Sequence, residues 1–340
     1  MLIYLAYKNN NNILIKIKKI IYIYCFIFFL FIIKNQNIIE KKININNSIY
    51  KKIFKLNIKK NVKVCICTLG KKENNYIREF VEYYKKLRVD KIFLYDNNEL
   101  NGENFNTILY DYININFVEI INYRGKISPQ LNIFNDCYKK NNRAYDWLIF
   151  YDIDEFIHLK NYSNIKYFLN EKKFKKCNLI YLNCIRHTDN DLLYYDNRTL
   201  KDRFPKINWK SKMYTVKSII RGNLKGFKFK TTHWLNRNLI GCNFLGKIIK
   251  PSKKTKIEKD FNKSFYKLYY IDHYSFKSTE EYINKIIKGD GIYGFNKKNQ
   301  YRKIKLYFKY NKITKEKIYL IENKTGLNLT KYKLELNKKY

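Results

Sequence analysis

The sequence predicts an α/β fold in which helices flank a mostly parallel central sheet, with further helices at the C-terminal end. From residue 62 onward, β-rich segments alternate with amphipathic helical segments over about ninety residues, the pattern of βαβ units. Hydrophobic residues make up 46% of the 340 residues, enough for a substantial core. With only 3 Pro and 11 Gly, no flexible linker divides the chain, so we expect one large domain.

The first half of the chain carries the clearest periodicity. The expected strands are 62–68, 91–95, 116–121 and 147–151, and the expected helices are 74–88 and 130–141. Ligands of parallel sheets lie at the carboxyl ends of the strands. Thr68, Asp96 and Asp152 fall at such ends and are therefore candidate functional residues.

The second half is less regular. Segments 177–184 and 213–220 are typical of strands, and 278–288, 301–309 and 314–323 are typical of helices. Ser278 and Glu281 have the spacing of a capping box, which indicates a helix start at Ser278.

The N-terminal region contains an apolar run of fourteen residues, 20–33, with lysines on both sides. As a helix it is about 21 Å long, shorter than the roughly 30 Å hydrocarbon core. We interpret region 1–33 as a short anchor or interfacial helix and 34–61 as a polar tether, which predicts a membrane-associated protein with a single N-terminal anchor. The flanking charges give no orientation.

The net charge of +40 comes from 69 basic and 29 acidic residues spread along the whole chain. It is compatible with a nucleic-acid-binding protein, but Lys, Ile, Asn and Tyr share AT-rich codons, so we prefer genome composition as its explanation. Because no nucleic-acid-binding motif accompanies the 17% aromatic content, we expect no specific nucleic acid partner. Nonspecific binding to phosphates would weaken by orders of magnitude between about 50 and 200 mM salt.

The seven cysteines show no metal-binding spacing, and their number is odd. Cys65-Ile66-Cys67 fits a buried strand. We therefore predict buried free thiols rather than a disulfide framework.

An acidic segment, Asp152-Ile153-Asp154-Glu155, directly follows the buried strand 147–151. If the strand continues, Asp152 and Asp154 point the same way. Two such carboxylates repel each other unless a cation joins them, and a hard divalent cation prefers oxygen ligands. The alternative is a solvated acidic turn or a helix cap.

Several sequence blocks in the same order resemble glycosyltransferase family 92. They are 64–74, 76–84, 92–98, 146–156, 189–198, 273–274 and 277–282. The resemblance implies a GT-A fold, a Rossmann-like, mostly parallel sheet flanked by helices, over 62–296, with a C-terminal helical extension over 297–340. It also implies transfer of a sugar from a nucleotide-sugar donor, with inversion at the anomeric carbon.

The resemblance implies a metal site made of Asp152, Asp154 and His273. Histidine suits Mn²⁺ better than Mg²⁺, so Mn²⁺ is the expected cofactor and Mg²⁺ the alternative. His233 is a rival to His273 as the histidine ligand.

For the nucleotide, the resemblance implies contacts from Asp96 and Asp152, with Thr68 and Glu73 lining the cleft. Asp96 is equally explained as a turn residue before Asn97. The expected donor is a UDP-sugar.

Inversion needs a base that deprotonates the acceptor hydroxyl. Asp189 and Asp191 both fit the expected order, and the pattern does not separate them from each other or from a solvated acidic loop. The expected acceptor is a glycan or a lipid-linked saccharide. A catalytically silent sugar-binding protein of the same fold is the other alternative, which the intact pair of acids disfavours.

Overall fold

A computed structural model describes residues 62–126, 130–207, 216–230, 239–249, 268–288 and 297–329. The predicted anchor and tether and the rival ligand His233 lie outside these residues. Within the described ranges, no helix is both long and apolar enough to cross a membrane.

The first half forms the predicted βαβ arrangement. Its strands are β1 (Val64–Gly70), β2 (Lys91–Asp96), β3 (Val118–Asn122) and β4 (Trp147–Phe150). Its helices are α1 (Asn74–Lys86), α2 (Phe105–Ile108), α3 (Tyr110–Asn114) and α4 (Gln130–Asn141). The strands are parallel in the order β3-β2-β1-β4, so their carboxyl ends meet at one edge.

The alternation within β1 explains why it is buried on both faces. Val64 and Ile66 pack into one hydrophobic cluster together with the apolar face of α1, while Cys65 and Cys67 pack into a second cluster with α4. A strand covered on both sides reads as a continuous apolar run, which is why its position could be predicted.

The second half extends the same sheet with mixed directions. It adds β5 (Glu155–Leu159), α5 (Ile165–Leu169), β6 (Leu179–Arg186), α6 (Leu200–Arg203), β7 (Val216–Arg221), β8 (Gly241–Asn243) and β9 (Tyr269–His273). The sheet continues from β4 as β7-β6-β9-β5, and β8 pairs with β6. β7 is antiparallel to β4 and β6, and β5 is antiparallel to β9. The predicted parallel pairing of strands therefore applies mainly to the first half of the chain.

The C-terminal helices are α7 (Thr279–Ile287), α8 (Lys297–Tyr310) and α9 (Lys315–Thr325). The predicted capping box is confirmed, because Ser278 and Glu281 bond to each other's backbone at the start of α7. Apolar residues of the three helices form a separate cluster. Gly326 ends α9 in the left-handed conformation that favours glycine.

The prediction of free thiols is wrong for four cysteines. Cys67 in β1 is bonded to Cys137 in α4, and Cys177 is bonded to Cys242 in β8. Cys65 and Cys184 are free and buried, as predicted. The bonded cysteines are 70 and 65 residues apart, so only the tertiary fold brings them together.

Removing the bond between Cys67 and Cys137 with the double substitution Cys67→Ala and Cys137→Ala should lower the free energy of unfolding by about 4 kcal/mol. This follows from the chain entropy of a loop of this length. Urea denaturation of oxidised protein measures the loss. Cys65→Ala is the matched control, since it removes a buried thiol of the same strand but no cross-link. Identical unfolding of the double variant and the wild type would contradict the disulfide.

Candidate active site

The acidic segment forms a tight turn between β4 and β5. The Glu155 amide donates to the Asp152 carbonyl at 3.0 Å, and the Asp152 amide donates to the Glu155 carboxylate at 3.1 Å. The expectation that Asp152 and Asp154 continue a strand is therefore wrong, since β4 ends at Phe150. The turn nevertheless leaves both acids at the carboxyl end of β4, where a ligand of such a sheet binds.

Asp152 is held by two donors from neighbouring elements. The ammonium of Lys217, at the start of β7, lies 2.9 Å from Asp152 Oδ2 and 3.0 Å from Glu155 Oε2. The side-chain amide of Gln130 donates to Asp152 Oδ1 at 2.9 Å. Burial opposes ionisation of Asp152, but the charge of Lys217 outweighs it and holds the pKa of this carboxyl below its usual range.

No sequence pattern distinguishes Lys217 as a site residue. β7 runs antiparallel to β4, so its first residues lie beside the last residues of β4. The Lys217 side chain is only 2% exposed, which is rare for lysine and depends on its two acidic partners. In a chain this rich in lysine, one further lysine in a strand is not a signal.

Asp154 faces two groups from the C-terminal half. The ammonium of Lys285, in α7, lies 2.8 Å from Asp154 Oδ2, and Nε2 of His273 lies 3.5 Å from Asp154 Oδ1. Burial opposes ionisation here too, but the Lys285 charge lowers the pKa of Asp154 well below its usual value. Asp154 is therefore a carboxylate at neutral pH.

His273 lies at the end of β9 because β9 pairs with β5, directly opposite Glu155. Burial lowers the pKa of His273 to about 3, so the imidazole is neutral and able to act as a ligand at neutral pH. Nδ1 of His273 lies 3.8 Å from Glu155 Oε1, and neither atom has a hydrogen-bond partner within the described part of the chain. Burial, followed by the charges of Asp152 and Asp154, raises the pKa of Glu155 to about 8.

The donor atoms fit a divalent cation between Asp154 and His273. A carboxylate oxygen and a neutral imidazole nitrogen lie 3.5 Å apart, and this oxygen and nitrogen pair suits Mn²⁺. Asp152 fits less well as a direct ligand, because both of its oxygens already accept from Gln130 and Lys217.

A second grouping brings ligand atoms of Glu155, Cys184 and His273 within 4.8 Å of one another. Burial raises the pKa of the Cys184 thiol, so it is not a thiolate, and the ammonium of Lys217 lies against Glu155. These features disfavour a cation at this position.

Glu73, at the start of α1, is joined to the same region by lysines. Its carboxylate lies 2.7 Å from the ammonium of Lys288 and 3.4 Å from that of Lys277. Lys277, Lys285 and Lys288, which we call the lysine cluster, all lie in α7 or directly beside it. The cluster brings three positive charges to the acids of the turn and of α1.

Asp96 is the last residue of β2, as expected, whereas Thr68 lies two residues before the end of β1. Asp96 accepts from the backbone and side-chain amides of Asn98 at 3.0 and 2.8 Å and from Arg124 at 2.9 Å. Asp96 therefore acts as a turn residue, which was the alternative to nucleotide binding in the sequence analysis. A contact between Asp96 and a nucleotide stays a prediction. Thr68 is fully buried, and its hydroxyl has no partner within the described residues.

Asp189 and Asp191 contact the C-terminal helices. Asp189 is buried, 2.6 Å from the ammonium of Lys317 in α9, and accepts from the Tyr307 hydroxyl at 2.5 Å. Asp191 lies 3.1 Å from Lys317 and 3.2 Å from Lys312, and its side chain is 41% exposed. The role of either acid as the base stays a prediction.

Solved structures to which the chain is similar include two of S. aureus TarS. TarS 1-349 in complex with UDP-GlcNAc has 12% identity and a TM-score of 0.35, covering 78% of this chain and 80% of that one. The same fragment in complex with UDP has 11% identity and a TM-score of 0.31, covering 47% of each chain. These values describe a distant similarity.

Three proteins with a similar sequence are plant proteins. A glycosyltransferase family 92 protein of Ricinus communis is 26% identical over 103 residues, covering 30% of this chain and 18% of that protein. One of Oryza sativa subsp. japonica is 29% identical over 114 residues, covering 29% and 18%, respectively. One of Arabidopsis thaliana is 26% identical over 123 residues, covering 35% and 20%. The chain thus spans about a fifth of the length of these relatives.

The family model of glycosyltransferase family 92 matches residues 60–328, which include every element from β1 to α9. The matched range also contains the acidic turn, His273 and the lysine cluster. On this match, the chain belongs to glycosyltransferase family 92.

Proposed function

We propose that this chain transfers a sugar from a nucleoside-diphosphate sugar to an acceptor, with a divalent cation and with inversion. Family membership supports the reaction class. The observation that carries the proposal is the pair formed by the Asp154 carboxylate and the neutral His273 imidazole, 3.5 Å apart at the carboxyl end of the sheet.

Asp154 and His273 are the proposed ligands of Mn²⁺, or of Mg²⁺. When bound, such a cation supplies positive charge to the diphosphate that leaves as the sugar is transferred. Asp152 is kept ionised and oriented by Lys217 and Gln130, so it can accept hydrogen bonds from the ribose or from water beside the cation. Asp152 then acts without having to reorganise during the reaction.

The proposed donor is a UDP-sugar. Asp96 ends β2, and Thr68 lies two residues before the end of the neighbouring β1, near the edge where a nucleoside binds in sheets of this kind. Glu73 orients Lys277 and Lys288, which bring positive charge to the same region. Positive side chains of this kind attract a diphosphate.

The proposed base is Asp191, with Asp189 as the alternative. A base must come within hydrogen-bond reach of the acceptor hydroxyl and take its proton as the oxygen attacks the anomeric carbon. The Asp191 side chain is 41% exposed and can be reached by an acceptor, whereas Asp189 is enclosed by Lys317 and Tyr307. The proposed acceptor is a glycan or a lipid-linked saccharide.

We further propose membrane association through residues 20–33, with the domain in an oxidising compartment. The apolar run supports the first part, and the two disulfides support the second, since such bonds are rare in reducing compartments. Membrane contact through the N-terminus would place the enzyme close to a lipid-linked acceptor.

Binding of UDP, measured by calorimetry, should depend on Mn²⁺, and His273→Ala should weaken binding of Mn²⁺ by about 10- to 100-fold. His158→Ala is the matched control, because His158 lies in β5 and stacks on Tyr270. A hydrolysis screen across nucleotide sugars with Mn²⁺ present then identifies the donor. Equal affinity for UDP in EDTA would contradict the cation site. The lysine cluster would then be the group that binds the diphosphate.

A further inference from the structure

The two acids of the turn each have an ammonium partner, but the two partners differ in exposure. Lys217 is 2% exposed and shared between Asp152 and Glu155. Lys285 is 39% exposed, and its ammonium has Asp154 as its one carboxylate partner among the described residues, with the Ser275 carbonyl at 3.4 Å. Lys217 is thus fixed in the sheet, whereas Lys285 reaches its acid from a helix at the surface.

The difference in exposure decides which ammonium can be replaced. A partly exposed ammonium leaves its carboxylate at a lower cost, because its lysine regains water and rotamer freedom when the pair opens. A buried ammonium that leaves its carboxylates loses its counter-charge without gaining water. A cation that competes for the turn therefore displaces Lys285 from Asp154 far more easily than it displaces Lys217 from Asp152.

The other lysines of the cluster do not share this position. Lys277 and Lys288 pair with Glu73. Lys285 alone within the described lysine cluster pairs with Asp154, on the carboxylate whose other oxygen faces His273.

We propose that Lys285 is an exchangeable counter-ion of Asp154, which neutralises the carboxylate in the free enzyme, yields it to the divalent cation and then pairs with the donor diphosphate. One ammonium thus serves two states of the site: it prevents an uncompensated buried carboxylate before binding and adds positive charge beside the leaving group after binding. This inference rests on the proposed function, because it assumes that a cation and a diphosphate bind here.

The test compares Lys285→Met with Lys288→Met, which remove the same charge from the same end of α7. Electron paramagnetic resonance measures the binding of Mn²⁺ without nucleotide. Lys285→Met should bind Mn²⁺ about three- to tenfold more tightly, because its competitor is gone, whereas Lys288→Met should stay within about twofold of the wild type. Calorimetry with UDP at saturating Mn²⁺ should show affinity about tenfold weaker for Lys285→Met, the loss of one charged contact.

The opposite signs of the two effects make the outcome decisive. Unchanged or weaker binding of Mn²⁺ by Lys285→Met would overturn the proposal, as would equal tightening in Lys288→Met, which would indicate general electrostatics. Unchanged affinity of Lys285→Met for UDP would overturn the transfer to the diphosphate. If the wild type binds neither Mn²⁺ nor UDP, the proposed function itself fails, and this inference fails with it.

Discussion

Asp154→Asn is expected to abolish sugar transfer while the protein stays folded. The substitution keeps the shape of the side chain but removes the charge of the proposed cation ligand, and with it an expected several kcal/mol of stabilisation of the leaving diphosphate. We expect kcat/KM to fall by at least about 1000-fold, which corresponds to roughly 4 kcal/mol. Steady-state kinetics with the donor found in the screen measure the loss of activity. Circular dichroism checks that the protein stays folded.

Asp146→Asn is the matched control for this substitution. Asp146 directly precedes the first residue of β4 and accepts from the Lys63 amide at 3.0 Å, so it lies at the opposite end of that strand from the turn. Its activity should stay close to that of the wild type.

Asp152→Asn should also abolish transfer. Wild-type turnover by Asp154→Asn in metal-free buffer would show that Asp154 holds no catalytic cation.

Asp189→Ala is expected to destabilise the protein by about 3–5 kcal/mol, because it leaves the buried ammonium of Lys317 with only its partly exposed partner Asp191. It also removes the acceptor of the Tyr307 hydroxyl. Urea denaturation measures the effect. Lys312→Met is the control, because the Lys312 side chain is 77% exposed and its ion pair is worth about 1 kcal/mol or less.

The double substitution Asp189→Ala and Lys317→Met separates the structural role of Asp189 from a catalytic one. Removing both charges should recover part of the stability, since no buried charge then lacks its counter-ion. Activity of the stabilised double variant would exclude Asp189 as the base and leave Asp191. A single Asp189→Ala variant as stable as the wild type would contradict the buried ion pair.

The sequence predicted those elements whose apolar pattern is complete. β1 and β4 are buried on both faces, and α1 has a continuous apolar stripe, so their positions follow from periodicity. The position of the two acids follows for the same reason, since Asp152 and Asp154 come directly after such a strand. Local pattern and tertiary position agree in these segments.

The remaining features depend on contacts that sequence spacing does not contain. β5 and β9 are five residues each and include polar side chains such as His158 and Asp272, so they lack a clean alternation. The Lys217 side chain reaches Asp152 only because β7 pairs with β4. The bond between Cys67 and Cys137 likewise joins elements that only the folded sheet brings together.

The pairing of β5 with β9 also determines when the site can be completed during folding. The acids of the turn precede β5, whereas His273 arrives with the last strand of the sheet, so Asp154 and His273 meet only after a long loop has closed. Contacts of such large sequence separation form late, since the entropy of closing the loop must be overcome first. A cation that binds the completed pair then stabilises the closed sheet by mass action. If Mn²⁺ binds as proposed, it would therefore raise the stability of the closed sheet in addition to supplying charge to the leaving diphosphate.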